Sequence, residues 1–198
     1  MDITKGKYHP IELLRYAGMF LWFCAGIPLL FMREIYPQPL SPELWVAWFM
    51  LHGLFGLMYW NMMQYLPERT AISHRLMFLS LLTGSALGIS AVSLSLMGGI
   101  LLLLVAVMLP WLLAVVPAVT WLIAQNVLLA VTLSRLPDVS LSDASMESGL
   151  FLGISLFAFM SSVVVLRQNA ARDELRRVNS ELRATQSLLE ENLSLIHI

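Results

Sequence analysis

The chain has 198 residues, of which 58% are hydrophobic and only 13% charged, and its mean hydropathy is +0.75. Soluble domains carry about 25% charged residues, so a water-soluble enzyme folded around a single core is excluded. The net charge of -1, from 12 basic and 13 acidic residues, specifies no partner, and the single cysteine, Cys24, cannot form an internal disulfide.

Four runs contain no Asp, Glu, Lys or Arg: 16–32, 44–67, 76–134 and 148–166. A bilayer core of about 30 Å takes about 20 apolar residues per helix, so the first, second and fourth runs each supply one span. The third is too long for two spans and accommodates three joined by tight turns, placed near 95–99 and near 110–117. The expected fold is therefore an all-α membrane protein with six transmembrane helices. Lys5 and Lys7 before the first apolar run also suit a secretory signal peptide. However, no small-x-small cleavage site precedes Met32, so the run is read as a retained helix.

The distribution of basic residues tests that count, because Lys and Arg in short flanks stay on the cytoplasmic side. With six spans and an inside amino terminus, Lys5, Lys7, Arg15, Arg69, Arg75, Arg167, Arg172, Arg176, Arg177 and Arg183 are cytoplasmic. Only Arg33 and Arg135 fall outside, each in a short loop with acids (Glu34 and Glu43; Asp138, Asp143 and Glu147). Both termini are thus expected in the cytoplasm of a multi-pass protein. Trp45, Trp48, Trp60, Trp111 and Trp121 are candidates for interfacial anchors.

Ionisable or strongly polar groups inside spans are candidates for sensing, because their desolvation is costly. His52 lies in the middle of the second span, Asn61 and Gln64 toward its end, and Gln125 with Asn126 in the fifth. Imidazole titrates near neutrality, but His9, His74 and His197 lie outside the hydrocarbon, so neither a metal nor a haem site is expected. A neutral His52 hydrogen-bonded to a neighbouring helix is the expectation, and interhelical hydrogen bonds are expected of Gln125 and Asn126. Ser80, Gly84 and Gly88 form a row of small residues suited to close helix packing within one subunit, with subunit association as the alternative. Pro28, Pro110 and Pro117 are candidate hinges or turn markers.

After Leu166 the composition changes to RQNAARDELRRVNSELRATQSLLEEN, free of Gly and Pro and rich in strong helix formers. Val164, Ala171, Val178 and Thr185 share one heptad position and Gln168, Leu175, Leu182 and Leu189 the other, as a coiled-coil seam requires. Asp173 and Arg177 are spaced as a helix-supporting pair. A stripe this narrow favours a parallel homodimer over a helix lying on the membrane surface, whose apolar face is usually wider. Interleaved acids argue against a nucleic-acid surface.

Six spans running directly into ARDELRRVNSELRATQSLLEEN resemble the membrane input half of a bacterial sensor histidine kinase, of the nitrate-response and thermosensing class. The resemblance implies a bacterial inner-membrane location, a response-regulator partner, and a downstream dimerisation helix with an Arg-x-Leu-His-Asp motif. It also implies ATP and magnesium, both in a kinase core that this sequence does not contain. No P-loop, HExxH, CxxC or serine elbow occurs, so no catalytic residue, metal ligand or cofactor contact is assigned in the chain. A nucleotide cyclase as the output, or a small six-span transporter, are the alternatives.

Residues 193–198 (LSLIHI) break the pattern, and one reading frame of a transposon end used in DNA library preparation encodes the same hexapeptide. The expected organisation is a cytoplasmic segment 1–15, a membrane domain 16–166, a coiled-coil linker 167–192 and a non-native tail 193–198. His197 is not read as a phosphorylated histidine, since Ile198 stands where the motif requires Asp.

Overall fold

The computed structural model describes residues 10–31, 41–65, 71–93, 95–136 and 139–196, with the side chains of 10, 11, 28–31, 65 and 191–196 left out. Lys5, Lys7, His9, Arg33, Glu34, Arg69, Asp138 and His197, the side chain of Pro28 and the proposed boundary at 193 lie outside the described side chains. Six helices and no strand occur among the described residues: α1 (Pro10–Phe31), α2 (Pro42–Tyr65), α3 (Ile72–Ser93), α4 (Met97–Leu112), α5 (Val115–Leu133) and α6 (Leu141–Ile196). The chain divides into two compact units, Met1–Phe159 and Met160–Ile198.

The long apolar run is broken where its turn residues lie. Between α3 and α4 the Ser93 and Ser95 hydroxyls pair at 2.6 Å, and the Met97 amide donates to Ser95 Oγ at 3.4 Å. Between α4 and α5, Leu113 and Ala114 adopt extended conformations. Pro110 sits inside α4 rather than in the turn. Pro117 occupies the first turn of α5, where a missing N–H costs nothing because no intrahelical acceptor faces it.

Three helices are long and apolar enough to cross a membrane: Ile72–Ser93, Val115–Leu133 and the part of α6 within Leu141–Glu190. Helix α4 is apolar but has 16 residues, about 24 Å of rise. Its surroundings are protein on almost every side: Gly98, Gly99, Leu101, Leu102, Leu104, Val105, Ala106, Met108, Leu109 and Leu112 are buried. A helix apolar all round is one that its neighbours enclose, and α4 contacts α1, α3 and α5. The flanking helices bury one stripe each, Leu79, Leu82, Ala86 and Ile89 on α3 and Ala118, Leu122, Gln125 and Leu129 on α5. Outward lie Phe20, Phe23, Met50, Leu57, Val116, Val127, Leu150 and Phe157, all exposed. An apolar exterior this extensive marks a membrane or protein contact.

Among the described glycines, Gly98 is the one met by the backbone of another helix, and it joins α4 to α3. A Cβ at Gly98 would overlap the Ala86 carbonyl oxygen and the Ser90 hydroxyl, so only glycine allows the two backbones to meet there. The row expected to do this, Ser80–Gly84–Gly88, does not: Ser80 and Gly84 are exposed, nothing described lies within 4 Å of a Cβ at Gly84, and only Gly88 meets a neighbour, Leu51 at 3.0 Å. The rows are offset by two residues, which sets them on nearly opposite sides of α3, and Ala86 with Ser90, not Gly84, faces α4. Replacing Gly98 with Val should lower stability by about 1–3 kcal/mol through overpacking, whereas Gly84→Ala should leave it within about 0.5 kcal/mol. Denaturation of both variants in mild detergent checks this difference.

Candidate functional site

Helices α1 and α2 interlock through a row of alternating large and small side chains. Gly18, Trp22 and Gly26 lie at i, i+4 and i+8 on one face of α1, and His52, Gly56 and Tyr59 face them from α2. The Tyr59 ring occupies the place a side chain at Gly18 would take, and its hydroxyl donates to the Leu14 carbonyl at 2.9 Å. The Trp22 indole lies over Gly56, 2.6 Å from where a Cβ would be, and its Nε1 donates to the His52 carbonyl at 2.9 Å. The His52 imidazole rests against Gly26, with Nε2 2.9 Å from a Cβ placed there.

His52 is thereby held between two indoles. Its ring stacks on Trp22 at 4.7 Å and 14° and on Trp48 at 4.7 Å and 10°. The expected hydrogen bond to a neighbouring helix is not what fixes it, since Nδ1 has no partner among the described residues. Stacking replaces it because Trp48 lies one turn before His52 on α2 and Trp22 reaches across from α1. Trp48 is fully buried, so it is not an interfacial anchor. At the other end of the row the Arg15 guanidinium lies over the Tyr16 and Trp60 rings, at 5.0 and 4.6 Å from their centroids, a cation–π arrangement.

A second polar layer lies between α4, α5 and α6. Gln125 Nε2 donates to the Leu102 carbonyl of α4 at 3.3 Å, the interhelical bond its position led us to expect. Asn126 differs: its Nδ2 donates to the Leu122 carbonyl of its own helix at 2.8 Å. It is instead the Asn126 backbone carbonyl that accepts across helices, from the Ser148 hydroxyl of α6 at 2.6 Å. Both carboxamide oxygens, Gln125 Oε1 and Asn126 Oδ1, are buried without a partner among the described residues. A buried acceptor left unpaired costs about 1–3 kcal/mol, and such groups call for an explanation. Trp121, read as an interfacial anchor, donates its Nε1 to Thr83 Oγ1 at 3.2 Å. Asn61 bonds the Leu57 carbonyl within its own helix, and Gln64 is exposed.

In the second unit the helix is solvent-facing from Ala171 to Glu190. The seam residues Val164, Ala171, Leu175, Val178, Leu182 and Leu189 are all exposed in the single chain. The ion pair expected between Asp173 and Arg177 is exchanged for others. Arg176 pairs with Asp173 at 3.5 Å, while Arg177 pairs with Glu174 at 3.3 Å and Glu181 at 3.5 Å. Spacings of three and four residues compete equally on a helix surface, and Arg177 has two closer acids. Among the described residues no group of His, Cys, Asp and Glu is arranged to hold a metal ion.

Compared with protein-family profiles, curated proteins and solved structures, the chain matches none.

The row on α1 and α2 was missed by sequence reasoning, although Gly18, Trp22 and Gly26 at four-residue spacing were the available signal. Truncating His52 to Ala opens a gap between the two indoles and should cost about 2 kcal/mol. Tyr59→Phe, which keeps the ring and removes one hydrogen bond, should cost about 1 kcal/mol. Indole fluorescence during unfolding measures both, and only His52→Ala should shift the emission of the folded protein.

Proposed function

We propose that the chain is the input half of a membrane-bound sensor histidine kinase. Six helices form an inner-membrane bundle with both termini in the cytoplasm, and α6 leaves it to pair with α6 of a second copy. In this reading a stimulus acting within the bilayer or at its face alters the packing of α6, and the paired helices deliver that change to a kinase core and its response regulator. In this reading ATP and magnesium act in that kinase core. The change is a biased two-state rearrangement of packed helices.

The observation that carries the reading is the phase of α6. Its buried positions in the first unit are Ala144, Ser148, Ser155 and Phe159. Counting the heptad seam back from Val164 in steps of three and four gives Ser161, Phe157, Ile154 and Leu150, every one of them exposed. The seam face and the bundle face are thus separate sides of one helix. Two copies can pair along the seam without displacing anything packed against α6 in the bundle. A surface-lying amphipathic helix has no reason to keep that phase through the preceding apolar segment.

A parallel pair places equivalent seam positions opposite each other, within the Cα separation of about 4.4–6.8 Å that a disulfide needs. In native membranes, Leu175→Cys and Leu182→Cys should give disulfide-linked dimers on mild oxidation, as should Ile154→Cys, whereas Arg176→Cys, off the seam, should not. A chain that stays single-subunit at all three positions overturns the reading. Joining the exit helix in heptad register to a kinase core tests the output directly: autophosphorylation should appear in register and fall at least tenfold when one residue is inserted at the junction.

A further inference from the structure

Arg15 lies in the second turn of α1 and Trp60 in the second-to-last turn of α2. The pairing of Gly18 with Tyr59 and of Gly26 with His52 makes these helices antiparallel, so both residues mark one end of the pair. On the placement proposed above, that end meets the cytoplasmic leaflet.

The Arg15 guanidinium rests against the Tyr16 and Trp60 rings, 5.0 and 4.6 Å from their centroids, and the two rings meet edge to face at 6.4 Å. Its Nη2 donates to the Tyr16 hydroxyl at 3.2 Å. These contacts seat the charge without neutralising it, since a ring and a hydroxyl carry no net charge. Glu12, one turn earlier, is exposed, and no ion pair joins it or any other described acid to Arg15. The Nε–H is enclosed without an acceptor and is out of reach of anything outside the chain. Nη1 also has no acceptor among the described residues, but it is not enclosed, and Arg15 is partly exposed. Arg15 thus presents an uncompensated cation, with both N–H groups of Nη1 free at its outer edge.

Toward the middle of the helices the same faces turn apolar. Phe20 lies one turn beyond Tyr16 on α1 and Leu57 one turn before Trp60 on α2, and both are exposed, as are the two rings.

We infer that this end of α1 and α2 is a headgroup site for one phospholipid, whose phosphodiester accepts from Arg15 Nη1 and whose acyl chain lies along Phe20 and Leu57. A phosphodiester brings one negative charge to one cation, and its oxygen makes a charge-assisted bond with a guanidinium. The aromatic seat lowers the ordering cost, because the guanidinium is placed before the lipid arrives. An arginine that only snorkels keeps its head in water, whereas this one is held on two rings. A free anion would use the cation and leave the apolar track empty. The inference rests on the bilayer placement proposed above and not on a kinase output.

The test uses the full chain, delipidated in mild detergent, and native mass spectrometry with phosphatidylglycerol or with the diacylglycerol of the same acyl chains, which lacks the phosphate. The chain should hold one phosphatidylglycerol at least tenfold more tightly than the diacylglycerol, and Arg15→Gln should remove that difference. Arg15→Lys keeps the charge and loses the stacked plane; it should weaken binding at least threefold, as should Trp60→Leu, and it decides the matter should Arg15→Gln not fold. Arg176→Gln, at an arginine already paired with Asp173, should bind as wild type does. A phosphatidylglycerol with a photoactivatable headgroup should label the peptides that contain Arg15 and Trp60. Equal binding of the two lipids, or wild-type binding by Arg15→Lys, overturns the inference. Displacement of the lipid by inorganic phosphate at the same concentration overturns it by giving the cation to a soluble anion. A chain-to-chain disulfide through Glu12→Cys that the lipid does not suppress overturns it by giving the cation to a second copy. Binding is read without any output, so its failure leaves the seam crosslinks unaffected, and failure of the crosslinks leaves the binding unaffected.

Discussion

Backbone contact between α3 and α4 at Gly98 governs how the first unit is assembled. Helix α4 presents apolar side chains in every direction and is buried on nearly every side, so it cannot be stable until its neighbours enclose it. Gly98 allows the Ala86 turn of α3 to come closer than any side chain would permit. That approach in turn sets the distance at which α5 can reach α4 through Gln125 and Leu102 and α3 through Trp121 and Thr83. Where water is absent, an interhelical hydrogen bond and a tight van der Waals seam are the available forms of specificity, since apolar burial alone does not distinguish one helix neighbour from lipid.

The same scarcity of water explains how polar atoms are treated. Ser85, Ser93, Asn61, Asn126 and Thr132 each turn their donor onto a carbonyl three or four residues back in their own helix. This is the nearest acceptor a helix offers, and it consumes protons while leaving oxygens. At Gln125 and Asn126 the carboxamide oxygen is left buried without a partner among the described residues. His52 solves its own problem differently, by exchanging a hydrogen bond for two stacked indoles.

Helix number and breaks were legible in the sequence, because charge-free runs, turn-forming Ser and Gly, and extended residues between prolines act locally. The break between α3 and α4 and the one at 113–114 fall at or beside the stretches marked by those residues. Which face of a helix meets which neighbour was less legible. Ser80–Gly84–Gly88 has the right composition for close packing, yet Ala86 and Ser90 do the work, since small residues permit approach without directing it. The Gly18–Trp22–Gly26 row was overlooked for the complementary reason: its meaning lies in the match to His52, Gly56 and Tyr59, and a pairing across helices is not a property of either strip alone. Gln125 was anticipated because a long amide in an apolar helix reaches a neighbour's backbone, whereas the shorter Asn126 reaches its own.

Helix α6 has no glycine or proline after Gly153, and both residue types are what usually permit a helix to bend. Gly149 and Gly153 are therefore the last residues of α6 at which bending is easy. On the proposed reading this separates two duties along one element. The early turns are packed in the first unit, where Ser148 donates to the Asn126 carbonyl, and the later turns carry exposed ion pairs of Arg176 and Arg177 on the face away from the seam. A seam with Gln168 and Thr185 among its apolar residues is weak enough to repack, where an all-leucine seam would resist it.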